Sequence, residues 1–276
     1  MPDQERPPAD EMTRLLDVMR RLRDPQNGCP WDIEQTFETI APYTIEEAYE
    51  VADAIAGSDM PALREELGDL LLQVVYHAQI AAEMGQFDFA AVARAIADKM
   101  VARHPHVFGD AEIRGAAAQT QAWEARKAEE RAAKAAASGR RASILDGIAL
   151  ALPALTRAEK LQKRAARVGF DWAESRRVLD KIEEEIAEVR AEIDAGAGAD
   201  RFEDEVGDLL FATVNLARHL KIDGEAALRR ANAKFERRFR MIEEMLGTQG
   251  KSADACSLDE LETLWEEAKR RESAAT

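Results

Sequence analysis

The chain carries one pair of acidic helical motifs twice. The segment EEAYE at 46–50 recurs as EEIAE at 184–188, an offset of 138 residues. The segment ELGDLL at 66–71 recurs as EVGDLL at 205–210, an offset of 139 residues. A repeat this long that occurs twice predicts two related domains rather than a solenoid of many short repeats.

Each motif lies beside a stripe of apolar residues with helical spacing. In the second copy the first stripe is Val178, Ile182, Ile186, Val189 and Ile193, and the second is Val206, Leu209, Leu210 and Thr213. Because a helix turns about 100° per residue, Glu185 and Glu188 fall on one flank of the first stripe with Lys181, and Glu205 and Asp208 on one flank of the second. Antiparallel packing across the short connection at 196–198 would bring these four carboxylates together.

Clustered carboxylates repel one another, and divalent cations relieve that repulsion. Oxygen-only ligands favour Mg²⁺, with Mn²⁺ as the alternative, over zinc. The sequence therefore predicts two metal sites, one in each half. Their predicted ligands are Glu185, Glu188, Glu205 and Asp208 in the second half and Glu47, Glu50, Glu66 and Asp69 in the first.

A purely structural role for these acids is the competing interpretation. Glu pairs three residues apart are common on solvated helix faces, and 33% of this chain is charged. Thr44 and Glu47 also have the spacing of a capping box at the start of a helix. The repetition of both motifs in both halves favours the metal site, and so does the glycine inside each ELGD-type run. Glycine costs about 1 kcal/mol in a helix interior, so Gly68 and Gly207 indicate close packing or the approach of a ligand.

Taken together, the motifs resemble those of the MazG family of nucleoside triphosphate pyrophosphohydrolases in its two-domain form. The segments that carry the resemblance are GCPWD at 28–32, the two acidic motif pairs, RHPHVF at 103–108 and KFERR at 234–238. The resemblance implies Mg²⁺-dependent hydrolysis of a nucleoside triphosphate to the monophosphate and pyrophosphate, and it implies a homodimer. The chain has neither a Walker-type phosphate loop nor a Rossmann glycine motif, so metals and basic side chains must hold the phosphates.

The resemblance also implies roles for residues of the second half. Glu184, Glu185 and Glu205 are the candidate catalytic residues, with Glu184 orienting or deprotonating the attacking water. The candidate nucleotide-binding residues are Lys181, Arg201, Asp208, Lys234, Arg237, Arg238 and Trp265. A solvated basic stripe is the competing interpretation for the basic residues. For Trp265 it is a core anchor of the last helix.

The two halves differ at the candidate phosphate contacts. When Lys99 is aligned with Lys234, Ala102 occupies the position of Arg237 and Ala97 that of Asn232. We therefore expect the second half to be the main catalyst.

Composition narrows the classes of partner. The net charge of −15 and the isoelectric point of about 4.9 argue against binding to nucleic acid or to an anionic membrane. The N-terminus lacks the apolar segment of a signal peptide. The two cysteines, Cys29 and Cys256, provide no disulfide framework, so a cytoplasmic location is expected.

The pattern predicts an all-α fold of two tandem domains, each with a carboxylate-bearing helix pair, and the resemblance implies that both are MazG-like. We place the N-terminal domain at 1–112, a helical linker at 113–142 and the C-terminal catalytic domain at 143–276. Residues 29–32 are predicted to be a loop. A helix is expected to start at Ser143 and run to about Arg167 with a kink at Pro153, and Ser257 with Glu260 is expected to cap the last helix.

Three other functions compete with this one. A di-iron carboxylate bundle is set aside, because none of the four histidines has Glu three residues before it. A non-enzymatic protein that senses nucleotides and a pyrophosphatase narrow for dUTP or dCTP both stay open, since the sequence does not decide base or sugar preference.

Overall fold

The computed structural model describes residues 7–110, 115–137, 139 and 141–275. These residues form twelve α-helices and one short 3₁₀ helix, and no β-strand occurs among them. The predicted all-α fold is confirmed. None of the described helices is both long enough and apolar enough to cross a membrane.

The chain divides into two compact units, Met1–Arg126 and Lys127–Thr276. The division falls within a long helix, α7 (Ala116–Ala137). The predicted domain limit at 112/113 lies in 111–114, outside the described residues, and the domain limits stay a prediction.

The first unit is built around a long helix pair. Its helices before α7 are α1 (Pro8–Leu22), α2 (Pro30–Glu34), α3 (Phe37–Gly57), α4 (Met60–Glu83), α5 (Phe89–Arg103) and α6 (Pro105–Phe108). Helix α4 begins after Asp59, whose carboxylate accepts a hydrogen bond from the Ala62 amide at 3.0 Å. Met19, Ile40, Val75, Tyr76 and Ile80 form the buried core. The acidic motifs lie on α3 and α4, which pack against each other.

The second unit repeats this plan with α8 (Ala154–Ala166), α9 (Ser175–Ala195) and α10 (Ala199–His219), followed by α11 (Gly224–Gly247), a 3₁₀ turn (Ala253–Ala255) and α12 (Leu258–Ala275). Gly196 ends α9 in the left-handed conformation, at φ 63°, so the chain turns sharply and α10 packs back on α9. The Ser257–Glu260 capping box is confirmed: the Glu260 carboxylate accepts from the Ser257 amide at 2.8 Å, and Ser257 Oγ accepts from the Glu260 amide at 3.3 Å.

Three local predictions are wrong. Helix α8 does not start at Ser143 but at Ala154, directly after Pro153, because Gly147 adopts a φ of 77° and Pro153 has no N–H to continue a helix. The 29–32 segment is not all loop, since Pro30 opens the short helix α2. Thr44 does not cap a helix. Thr36 caps α3 eight residues earlier, and Thr44 Oγ1 lies 3.0 Å from His77 Nε2.

The predicted apolar stripes are only partly buried within the chain. Val178 is fully buried, but Ile186, Val206 and Leu210 are between 40% and 53% exposed. The α9–α10 pair therefore leaves part of its apolar surface uncovered by the unit to which it belongs.

Candidate active site

The α9–α10 pair brings three of the four predicted ligands of the second half together. Glu185, Glu205 and Asp208 each offer a carboxylate oxygen, and these oxygens lie within 4.8 Å of one another. Glu185 is only 4% exposed, whereas Asp208 is exposed. Glu188 lies outside this set of three, one turn after Glu185. The adjacent Glu185 carboxylate, together with burial, raises the pKa of Glu188.

Two basic side chains hold these carboxylates. Lys181 Nζ donates to Glu184 Oε1 and lies 2.8 Å from Glu185 Oε1, and these contacts raise the pKa of Lys181. Arg201 donates to Glu205 Oε1 at 2.9 Å and also bonds Glu192, and the pKa of Arg201 is raised by Glu192 first and then by Glu205. Glu184 is more than half exposed. Lys181 and Arg201 therefore offset part of the cluster's negative charge.

The cluster has the donor set of a site for a hard cation. Glu185 Oε2 is buried and has no hydrogen-bond partner among the described residues. The neighbouring Glu188 carboxyl can act as a donor only when it is protonated. A buried carboxylate oxygen without a donor is costly, and a divalent cation bound between the three carboxylates would satisfy it. The residues present therefore fit Mg²⁺ or Mn²⁺.

The first unit contains the equivalent carboxylate cluster but has no counterparts of the basic side chains Lys181 and Arg201. Glu47, Glu66 and Asp69 also offer oxygens within 4.8 Å of one another, and Glu50 lies beside Glu47 and Glu66. Burial, followed by the charges of the neighbouring carboxylates, raises the pKa of Glu47 and of Glu66. In the repeat alignment, Tyr43 and Ala62 stand where the second half has Lys181 and Arg201. The first cluster therefore keeps more of its repulsion.

The glycine in each acidic motif is not there for packing within the chain. A Cβ atom built on Gly68 or Gly207 would meet no other atom within 4 Å. The expectation of close packing is therefore wrong as far as the described residues go. The approach of a ligand stays a prediction.

A cavity of about 720 Å³ adjoins the second cluster. At one end it is bordered by Lys181, Glu185 and Asp208, and further along by Gln162, Asn215 and Arg218. Leu161, Phe170, Trp172 and Phe211 are among its apolar and aromatic walls. A triphosphate bound to metals at the carboxylate end could extend its nucleoside into this cavity.

Sequence reasoning missed the polar end of this cavity. Asn215 follows Asp208 by seven residues, which is two helical turns on the same face of α10. That spacing was the available signal for Asn215. The position of Gln162 gave no such signal, because it depends on how α8 packs against α10.

The structure does not bring the predicted basic residues of α11 into contact with the carboxylate cluster. Arg237 and Arg238 each donate to Glu272 of α12, at 2.9 and 2.7 Å. Lys234 is exposed. Trp265 packs with Ile242, Met245 and Leu246 and lies 5.3 Å from the Phe235 ring, so it serves as an anchor of α12. Nucleotide contacts by these residues stay a prediction.

The fold and the site define a duplicated all-α protein with a carboxylate cluster on the central helix pair of each copy. The sequence matches the model of the MazG nucleotide pyrophosphohydrolase domain twice, at residues 35–108 and 174–242. The chain belongs to this family.

Three relatives illustrate the extent of the similarity. The chain is 53% identical over 264 residues to the nucleoside triphosphate pyrophosphohydrolase of Escherichia coli K12, covering 95% of this chain and 98% of that protein. It is 42% identical over 255 residues to the nucleoside triphosphate pyrophosphohydrolase/pyrophosphatase MazG of Thermotoga maritima, covering 92% and 94%. It is 36% identical over 166 residues to the nucleoside triphosphate pyrophosphohydrolase of Mycobacterium tuberculosis, covering 59% of this chain and 48% of that protein.

Proposed function

We propose that this protein hydrolyses nucleoside triphosphates to the monophosphate and pyrophosphate at the carboxylate cluster of its second unit. Relatives that match nearly the whole chain are named for this activity. The observation that carries the assignment to this cluster is the buried, unpartnered Glu185 Oε2 beside two further carboxylates and a cavity of nucleoside size.

Glu185, Glu205 and Asp208 would hold Mg²⁺, and Glu188 would complete the set. The bound cation supplies charge neutralisation for the phosphates and lowers the pKa of a coordinated water. In the reaction, the water oxygen bonds the α-phosphorus as the bond to the bridging oxygen breaks, and pyrophosphate leaves. Lys181 and Arg201 fix the carboxylates. Glu184 is proposed to receive the proton of the water.

The test is pyrophosphate release from a panel of canonical and damaged nucleoside triphosphates. With Mg²⁺ present we expect one pyrophosphate for each monophosphate formed, and with EDTA in excess we expect no product, because the carboxylates alone cannot neutralise a triphosphate. Nucleotide binding without any release, with Mg²⁺ or Mn²⁺ present, would contradict the enzyme and favour a nucleotide sensor. Turnover confined to dUTP or dCTP would instead identify a narrow pyrophosphatase.

We infer that the protein is a homodimer formed through the α9–α10 pair. The support is the uncovered part of its apolar stripes, on Ile186, Val206 and Leu210. Exposed apolar surface of this kind is typical of an interaction site, and helix pairs commonly complete their core by pairing with a second pair.

Light scattering at micromolar concentration is expected to give twice the chain mass. Leu210→Glu should shift the population towards monomer, because it would place a charge in the apolar interface. Leu258→Glu is the matched control, since Leu258 is 71% exposed at the start of α12. A monomer for the unsubstituted protein would contradict the assembly.

We propose the cytoplasm as the compartment of this activity. Cys29 and Cys256 are both free thiols, and free thiols persist in a reducing environment. Recovery of the protein in a membrane or secreted fraction after cell fractionation would contradict this location.

A further inference from the structure

The buried side-chain amide of Asn215 uses its oxygen in hydrogen bonds, whereas its nitrogen has no acceptor among the described residues. It is 6% exposed and borders the cavity beside the second carboxylate cluster. Its Oδ1 accepts from Arg218 Nε at 2.9 Å and from Arg218 Nη2 at 2.7 Å. Because a guanidinium can only donate, this contact fixes which end of the amide is the oxygen. The Nδ2 group is left as a hydrogen-bond donor with no partner among the described residues.

An ion pair with Asp171 fixes the orientation of Arg218. Arg218 Nη1 donates to Asp171 Oδ2 at 2.9 Å, and Nη2 contacts Oδ1 of the same carboxylate. His219 Nε2 lies 3.0 Å from Asp171 Oδ1. The hydrogen bond from Arg218 is the main reason that the pKa of Asp171 is lowered. The Asn215 side chain is therefore held in place, and its free donor has a defined position.

Gln162 adds a second polar group at the same end of the cavity. It is 7% exposed, and its Nε2 donates to the Phe211 carbonyl oxygen at 2.8 Å. A carbonyl oxygen can only accept, so Gln162 Oε1 is the end left over, and it is buried without a partner among the described residues. Buried polar groups without partners are rare in folded proteins, and each calls for a ligand, a water or an ion.

The distance from the carboxylates suits a nucleoside. Asp208 and Asn215 are seven residues apart on α10, which corresponds to about 10 Å at a rise of 1.5 Å per residue. Phe211 lies between them on the same side and forms part of the cavity wall. A substrate with its phosphates at Asp208 would therefore extend its base towards Asn215.

The first unit lacks this arrangement. In the repeat alignment Tyr76 stands at the position of Asn215, and Arg23 lies one residue before the position of Gln162. Arg23 donates to Glu83 and to the Gln35 carbonyl oxygen, and the Tyr76 hydroxyl donates to Asp32 Oδ1 at 3.0 Å. Arg23 and Tyr76 thus help to hold the 32–35 segment, and the Tyr76 hydroxyl uses its single hydrogen there.

We propose that Asn215 Nδ2 holds the nucleobase of the substrate by donating to a ring nitrogen or carbonyl oxygen of the base. This inference rests on the proposed function and identifies the substrate class as base-bearing triphosphates rather than base-free polyphosphates.

The test compares a nucleoside triphosphate with ribose 5-triphosphate, which lacks the base. Asn215→Asp keeps the acceptor for Arg218, replaces the Nδ2 donor with a carboxylate oxygen and adds one negative charge, whereas Asn215→Ser adds none. We expect Asn215→Asp to lower the ratio of kcat/KM for the nucleotide to kcat/KM for the base-free substrate about tenfold or more, the effect of one lost hydrogen bond in a buried site. Asn215→Ser, which shortens the side chain, should lower the same ratio. Tyr76→Phe is the matched control at the equivalent position of the first unit, and it should leave the ratio unchanged.

Two results would overturn the inference. One is an unsubstituted enzyme that uses both substrates equally well. The other is an Asn215→Asp variant that keeps the ratio, whether both activities stay or both fall, since Asn215 would then act on folding or not at all. If the unsubstituted protein released no pyrophosphate from any nucleotide, the proposed function would fail instead, so the two failures are distinguishable.

Discussion

Asp208→Asn is expected to abolish pyrophosphate release while the helical circular dichroism stays nearly intact. Asp208 is exposed and contributes one oxygen to the cluster with Glu185 and Glu205. The amide has almost the same shape but no charge, so a cation loses an anionic ligand. Loss of a residue that merely orients a metal ligand costs about 10–100-fold in metal affinity or activity. Loss of the ligand itself should cost at least about a hundredfold.

The same Asp208→Asn substitution should not lower the thermal stability of the metal-free protein. Removing one charge from a cluster of carboxylates relieves repulsion, so the thermal midpoint of metal-free Asp208→Asn should stay the same or rise. Asp204→Asn, an exposed acid one turn earlier on α10, is the matched control and should retain activity. An Asp208→Asn variant that unfolds would mean that Asp208 has a structural role.

The helix pairs could be predicted because the information for them is local. The spacing of apolar residues gives the helical face, and the acids on its flank follow from the same geometry. This is why the structure brings Glu185, Glu205 and Asp208 together where the pattern places them. The partial exposure of the apolar stripes also follows from the sequence pattern, since a pair of helices alone cannot bury both of its apolar faces.

The errors arose where tertiary context decides the outcome. The apolar periodicity through Leu145, Ile148 and Leu152 suggested a helix, but the positive φ of Gly147 and the missing N–H of Pro153 prevent it. Arg237 and Arg238 lie on one helix as expected, and both bond Glu272 of α12, 34 to 35 residues further along the chain; their nucleotide contacts stay a prediction. The sequence places Asn215 on the same helix face as Asp208, but the orientation of its amide depends on Arg218 and Asp171.

The second prediction concerns which of the two carboxylate clusters carries the pyrophosphohydrolase activity. Both clusters have the oxygens to bind a cation. The second also has Lys181 and Arg201 to offset its charge, and Asn215 Nδ2 beside the adjoining cavity has no acceptor among the described residues. The first has Tyr43 and Ala62 at the positions of Lys181 and Arg201. Its Arg23 and Tyr76 donate hydrogen bonds to the 32–35 segment of the same unit. We therefore predict that the second unit performs most of the turnover.

Glu205→Gln is expected to remove most of the pyrophosphohydrolase activity, by at least about a hundredfold, whereas Glu66→Gln removes little. Each glutamine keeps an oxygen, and in the second unit that oxygen can still accept the hydrogen bond from Arg201, so the fold is disturbed equally little at both sites.

The thermal midpoint of Glu66→Gln provides a separate measurement at the first cluster. Burial and neighbouring carboxylates raise the pKa of Glu66, so its ionised form is unfavourable in the folded state and stability is lost as the pH rises through that pKa. Without metal at pH 7, Glu66→Gln should therefore raise the thermal midpoint. Equal losses of activity from the two substitutions would indicate two working sites, and a larger loss from Glu66→Gln would assign the reaction to the first unit.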